Sequence, residues 1–438
     1  MKQFGVVRKK NRILSIITIF LLTNFIYNDL NIRYLYGYLI MTICAFFLVV
    51  KYRTCISLSR YGIWFWLLII PCVLFTLAPN SNKAEHTTIA IMISMAVFGV
   101  MAVLYTTDRQ EINRFFKWVN LVAVVISLYV IIIKLYPNVY WDFIYPKLGP
   151  YVQEMANNQM RKGYGVPIGG SSTYADYVII IPLFYFFASL FFDNQRKSIS
   201  SLSFIKIIIF FVAILFENRK SEIIAFVITI LCLYIMSLDV RKGKAFIKKI
   251  ICLLMVMLFV ILALMILHKT GHLTRYDDFF QKLTYKNINS QDYSGGRLAL
   301  WDQAWNLFKE NPILGIGWEQ FMTQNKYNHD VHNTYLQWLC ETGVVGFILI
   351  FTPMIHIFLI TFRNVRKMMR HKISEQSDNL IIGVVGLGMQ LFFLLVNIID
   401  PAFYHLNFFC FFCITIILSE SSFKFHRQSV ICSNRYPV

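Results

Sequence analysis

The sequence predicts an all-α integral membrane protein of about 12 transmembrane helices, with a long, partly helical outer loop between the ninth and the tenth. Two observations carry this. Of 438 residues, 57% are hydrophobic and only 15% are charged, where a soluble chain of this size carries about a quarter charged. Uncharged runs such as 13–27 and 251–267 would also have no place in a soluble fold. The 40 Phe, 24 Tyr and 8 Trp suit lipid-facing helices with aromatic belts, so the 42 Lys and Arg are read first by membrane side. A net charge of +19 then gives little argument for nucleic acid, and none is expected as a partner.

Taken in order, apolar segments lie at about 13–28, 34–50, 61–78, 88–106, 116–136, 174–192, 204–217, 221–238, 249–268, 342–362, 380–399 and 402–419. Each is at or near the roughly 20 residues needed to cross a hydrocarbon core of about 30 Å. The first has Lys9, Lys10 and Arg12 ahead of it, as a signal peptide would. Asn28, Asp29 and Asn31 follow where small residues should stand for cleavage, so it is read as a helix. With the N-terminus inside, Lys and Arg concentrate on the inner connections once the long stretch 269–341 is discounted. Both termini are therefore expected in the cytoplasm. Three parts follow: 1–268, holding nine helices and an outer loop at 137–173; 269–341, the outer loop that carries the motif; and 342–438, three helices and a cytoplasmic tail. Long loops on a rigid frame are where function concentrates.

Of the nine cysteines most lie within apolar segments, and no disulfide framework follows. The Cys410/Cys413 pair has CxxC spacing but sits in a Phe-rich helix, where packing thiols are the simpler account. There is no GxxxxGK[ST], no HExxH and no Asp-x-Asp pair, so neither ATP nor a metal is implied, and no cofactor is expected. His268 and His272 have i,i+4 spacing without a third ligand nearby, which reads more simply as interfacial polarity.

The informative stretch is 294–346. Gly295 and Gly296 open a helix in which Leu298, Trp301, Trp305 and Phe308 recur at helical spacing, until Pro312, Gly315 and Gly317 stop it. This reads as an amphipathic helix on the outer interface, with Arg297 at its start. Arg297 is either a working cation or an arginine standing in water beside an anchor. His332 sits just ahead of a helical stretch that runs into the tenth helix through Glu341 and Gly343. The positive end of a helix disfavours imidazolium, so the ring should stay neutral and able to accept a proton. The simpler alternative is that His332 and Asn333 only cap the helix. His329, three residues earlier, is either the working residue or a bystander. Finally, a short outer turn, Glu217, Asn218, Arg219 and Lys220 with Glu222 beyond, keeps charges close to the membrane surface, which is costly unless they are paired or used. Arg219 either pairs with Glu217 or Glu222 or receives an anionic group of a lipid. Arg161 and Lys162, in the other outer loop, are weaker candidates for the same task.

Together, Arg297 with Trp301, Pro312 with Gly315 and Gly317, His332 and Asn333 with Leu336, and Glu341 with Gly343 resemble the shared region of the O-antigen ligase and polymerase superfamily. The likeness covers about 50 residues; elsewhere it is one of topology. It implies a GT-C-like, polytopic enzyme of the bacterial inner membrane, with its active site on the periplasmic face. By resemblance, Arg219, Arg297 and His332 stand where that family holds its essential residues, although Asn218 replaces the commoner Ser before the arginine. Substrate contacts are expected from Arg161, Lys162, Lys220, Trp301 and Asn333. The implied donor is an undecaprenyl-pyrophosphate-linked glycan, and the acceptor is lipid A-core for a ligase or another lipid-linked glycan for a polymerase. Membrane lipid is the remaining partner. The implied reaction is an inverting, metal-independent glycosyl transfer in lipopolysaccharide or capsular polysaccharide synthesis. Arginines would hold the diphosphate and His332 would take the acceptor proton. A transporter or flippase is the alternative of another class. It would place ionisable residues mid-span, whereas here they gather at the outer edge.

Overall fold

The computed structural model describes residues 60–76, 78, 109–161, 164–165, 173–193, 200–238, 247, 251, 296–370, 377–404 and 406–435. Among these the regular elements are helical and no strand occurs. The principal helices are α1 (Arg60–Thr76), α2 (Arg109–Leu135), α3 (Pro150–Arg161), α4 (Thr173–Phe192), α5 (Ser201–Glu217), α6 (Lys220–Ser237), α7 (Arg297–Glu310), α8 (Thr334–Arg370), α9 (Ser377–Val396) and α10 (Leu406–Arg435). The expected segments 13–28, 34–50, 88–106 and 249–268 lie outside the described residues, apart from Ile251. The expected total of 12 therefore goes untested. Among the described residues, five helices are long and apolar enough to cross a membrane: α2, α4, α6, α8 and α9. The chain is a membrane protein.

Burial separates the centre of the bundle from its rim. Within their apolar stretches α4 is 78% and α9 83% buried, against 33% for α2 and for α8. The first two therefore form the middle. α9 packs along α10 and against α4, α6 and α8; α8 runs beside α1, and α2 beside α4 and α5. The outward face of α2 repeats at Leu121, Val125, Leu128, Ile132 and Leu135, steps of three and four that keep one helix face. An apolar stripe pointing away from the protein is what a lipid-facing surface requires.

The helix ends pair as an alternating topology demands. Arg109 of α2 donates to Asp378 of α9 at 2.9 Å, joining two starts. Thr361 and Asn364, late in α8, donate to the Tyr61 hydroxyl at the start of α1 at 3.3 and 3.1 Å. At the opposite ends, Gly165 N–H donates to the Glu217 carbonyl at 3.0 Å and Thr334 N–H to the Asn397 carbonyl at 2.9 Å.

α8 is broken once, at Gly343 (φ 64°, ψ −170°). The Pro312–Gly317 stretch lies against this break. Ile316 N–H reaches the Cys340 carbonyl at 3.0 Å, Gly317 N–H the Glu341 carbonyl at 2.9 Å, and Val344 N–H the Pro312 carbonyl at 2.9 Å. A Cβ on Gly343 would stand 2.2 Å from the Ile313 oxygen, and one on Gly315 would stand 2.3 Å from the Glu341 carbonyl carbon. Both residues also have positive φ, so only glycine fits this crossing.

The helix expected to float on one Trp-rich face is anchored by the neighbouring one. Leu300 and Ala304 of α7 are buried with Phe321, Val331 and Cys340, and Trp301 and Leu307 pack on them. Leu298 and Trp305 remain 60% and 44% exposed, so they form the outward apolar edge. The expected stripe thus splits: Trp301 turns inward and Trp305 outward, because the glycine-rich crossing gives α7 a protein surface to cover.

Candidate active site

The entry to α8 sets the site. Asn333 Oδ1 accepts from Leu336 N–H at 3.1 Å, an N-cap that frees no role for its neighbour at the same position. His332 stands one residue earlier with φ 55°, a left-handed backbone that histidine adopts more readily than most residues. Trp301 Nε1 donates to the Val331 carbonyl at 3.0 Å and so pins the residue before His332 to α7. The capping role, which the sequence offered to His332 and Asn333 together, falls to Asn333.

Arg297 opens α7 behind Gly296, whose φ of 90° turns the chain into the helix. It comes within electrostatic reach of His332, as does Asp400. Burial is the largest influence on the His332 imidazole and pushes its pKa below the ordinary value. Asp400 and Asp330 oppose that shift, while Arg297 and His329 add to it. The ring is thus a neutral base near pH 7. His329 is exposed, and its backbone is held by the Asn325 side chain, whose Nδ2 donates to the His329 carbonyl at 2.8 Å.

Asp400 is the residue the sequence reading missed. It ends the turn after α9, and its carbonyl accepts from the Thr334 hydroxyl at 3.3 Å. Asn397 fixes that turn by accepting from Phe403 N–H at 2.9 Å and by bonding Thr334. The signal was available: a lone acid beside Pro401 in the short turn between two apolar segments, where a charge is expected at a membrane edge as Arg219 is.

Arg219 lies at the N-cap of α6. Asn218 before it ends α5 in the left-handed conformation, φ 58°. That geometry suits Asn, which accounts for its standing where serine was the commoner expectation. The Arg219 guanidinium lies 4.3 Å over the Tyr164 ring. It is also within electrostatic reach of three buried acids, Asp176, Glu217 and Glu222. Glu222 in turn lies within reach of Asp400. A continuous series therefore runs from Arg219 through Glu222, Asp400 and His332 to Arg297.

The remaining candidates separate. Lys220 is half-buried at the first position of α6. Arg161 is the exposed last residue of α3, three positions before Tyr164. Lys162 lies outside the described residues. Trp301 is spent on Val331, and Asn333 on its cap. Of the aromatic residues that might have stacked on sugars, Trp318 is buried against Tyr404 and the Tyr335 hydroxyl donates to the Leu394 carbonyl at 2.7 Å. Tyr327 is 53% exposed.

Below the site, Glu341 is a fully buried hub. Its carboxylate accepts from the backbone of Glu319 at 2.9 Å and of Phe321 at 3.3 Å, from Gln337 at 3.1 Å and from the Tyr404 hydroxyl at 2.7 Å. The outer loop, α8 and the turn before α10 are fastened through one side chain.

Residues 181–351, from α4 to the middle of α8, match the family model described as O-Antigen ligase. Over that stretch the chain is similar to the O-antigen ligase family. The ligase-family region contains Arg219, Arg297 and His332, while Asp400 falls beyond it. The exopolysaccharide production protein ExoQ of Rhizobium meliloti (strain 1021) is 27% identical over 132 residues, 26% of this chain and 28% of ExoQ. The likeness thus spans less than a third of that relative.

Proposed function

We propose that the protein transfers a glycan from undecaprenyl pyrophosphate to an acceptor hydroxyl at the periplasmic face of the inner membrane, without a metal. The observation that carries this reading is the set of ionisable groups, each within electrostatic reach of the next, that links Arg219 to His332 and Arg297. In it, the arginines bind the diphosphate and stabilise the charge that grows on it. The acceptor oxygen attacks the anomeric carbon from the side opposite the diphosphate. The carbon–oxygen bond to phosphate breaks with its electron pair leaving on undecaprenyl pyrophosphate, and the acceptor proton passes to the His332 imidazole. One displacement inverts the anomeric centre. Asp400 steadies the imidazolium so formed. Both termini lie in the cytoplasm on this reading, and Arg161, Lys162 and Lys220 extend the basic rim toward the donor.

The acceptor on the first reading is lipid A-core, a reading supported by the match of residues 181–351 to the family described as O-Antigen ligase. A second reading, polymerisation onto another lipid-linked repeat, is favoured by the likeness to an exopolysaccharide production protein. Deleting the gene separates them. Loss of every core-attached chain supports ligation, and core carrying a single repeat supports polymerisation. Unchanged surface glycan contradicts both.

A further inference from the structure

The residues that hold Arg219 come from a segment with no part in the motif. Tyr164 N–H is fixed to the Gln159 carbonyl at 3.1 Å, at the end of α3, and Gly165 N–H to the Glu217 carbonyl at 3.0 Å. Gly165 is buried so tightly on Glu217 that a Cβ there would stand 2.2 Å from Oε2 and 2.4 Å from Cα. These two contacts lock the Tyr164 ring beneath the Arg219 guanidinium at 4.3 Å. Asp176 and Glu217, both fully buried, lie within electrostatic reach of Arg219, and neither carboxyl group accepts a hydrogen bond from a described residue. Arg219 therefore has two kinds of neighbour, buried carboxyl groups and an aromatic ring.

Resting on the transfer reading above, we propose that Tyr164 is a positioning residue for the donor: its ring fixes the plane of the Arg219 guanidinium so that the N–H edge meets the diphosphate oxygens. An arginine paired only with carboxylates turns its donor edge to them. A ring 4.3 Å from its central carbon holds the guanidinium by a contact that itself takes up no N–H, and phosphate recognition uses the fork that such a contact orients. The outer loop 137–173 thus takes part in donor binding through Tyr164, and Gly165 is what lets it approach.

The test measures binding of undecaprenyl pyrophosphate, without sugar, to purified protein, together with donor KM and kcat. Tyr164→Leu should weaken binding and raise donor KM by about tenfold while kcat stays within about twofold. Tyr164→Phe, which keeps the ring, should match the parent protein, and Gly165→Ala should resemble Tyr164→Leu. In an Arg219→Lys background Tyr164→Leu should make no further difference, which decides the matter even where Gly165→Ala does not fold. Binding by Tyr164→Leu equal to the parent overturns the proposal and leaves the transfer reading intact. So does a Tyr164→Phe variant as weak as Tyr164→Leu, or additive losses with Arg219→Lys. A parent protein that does not bind the lipid diphosphate overturns both.

Discussion

His332 joins a depressed pKa to a left-handed backbone and a place beside Asp400 and Arg297. If it is the base, kcat/KM should fall toward acid with a midpoint below 6.5, because the neutral ring persists to lower pH than free histidine. A midpoint above 6.5, or no acid limb, contradicts the assignment. The same shift has a stability consequence. Between its folded pKa and the ordinary value the folded state binds fewer protons than the unfolded one, so stability drops as pH falls through that window. His332→Gln should flatten this slope in thermal unfolding followed as a function of pH. Glu341 predicts differently. It serves four donors, so Glu341→Ala should cost about 3 kcal/mol of stability, read as a lowered Tm in detergent. Arg219 was singled out in the sequence because an ionisable group at a membrane edge must be used or paired, and Arg297 and His332 because each stands at the start of a helix in the motif. Asp400 carried the same signal in the gap between segments 380–399 and 402–419 and was not singled out. The stacking aromatics were not legible. Among 40 Phe, 24 Tyr and 8 Trp, only packing reveals that Trp318 is core and Tyr327 is not.

At the scale of elements, the decisive feature is the crossing of the Pro312–Gly317 stretch over the break at Gly343. The sequence supplied the glycines and the proline as a stop signal for α7. Their second role, letting two backbones touch, depends on contacts nearly 30 residues apart and has no local signature. Gly343→Ala should displace the outer loop, lowering Tm and exposing Cys340, now fully buried, to thiol reagents. Unchanged reactivity of Cys340 would show that the crossing does not hold the loop. The face of α7 was misread for a related reason. Spacing identifies an apolar stripe, but whether it meets lipid or protein depends on what lies beneath, and here Phe321 and Val331 do.

For the whole molecule, membrane class and helix alternation follow from hydropathy and the distribution of cations, and the paired helix ends of the described part agree with them. The side of the membrane on which the site opens is the further expectation. In a background with its native cysteines replaced, Asn306→Cys on the exposed side of α7 should react with an impermeant thiol reagent in intact spheroplasts. Ser200→Cys, before α5, should react only after lysis. The reverse pattern would invert the topology. The central claim is that half-buried arginines and one neutral imidazole transfer a lipid-linked glycan unaided. It is tested most directly by reconstituting the protein in liposomes with purified lipid-linked glycan and acceptor, in EDTA and without ATP or an ion gradient. The account predicts product from the parent protein and at least about a hundredfold lower rate from folded His332→Gln. Equal rates from the two, or no transfer until a metal is added, would contradict it.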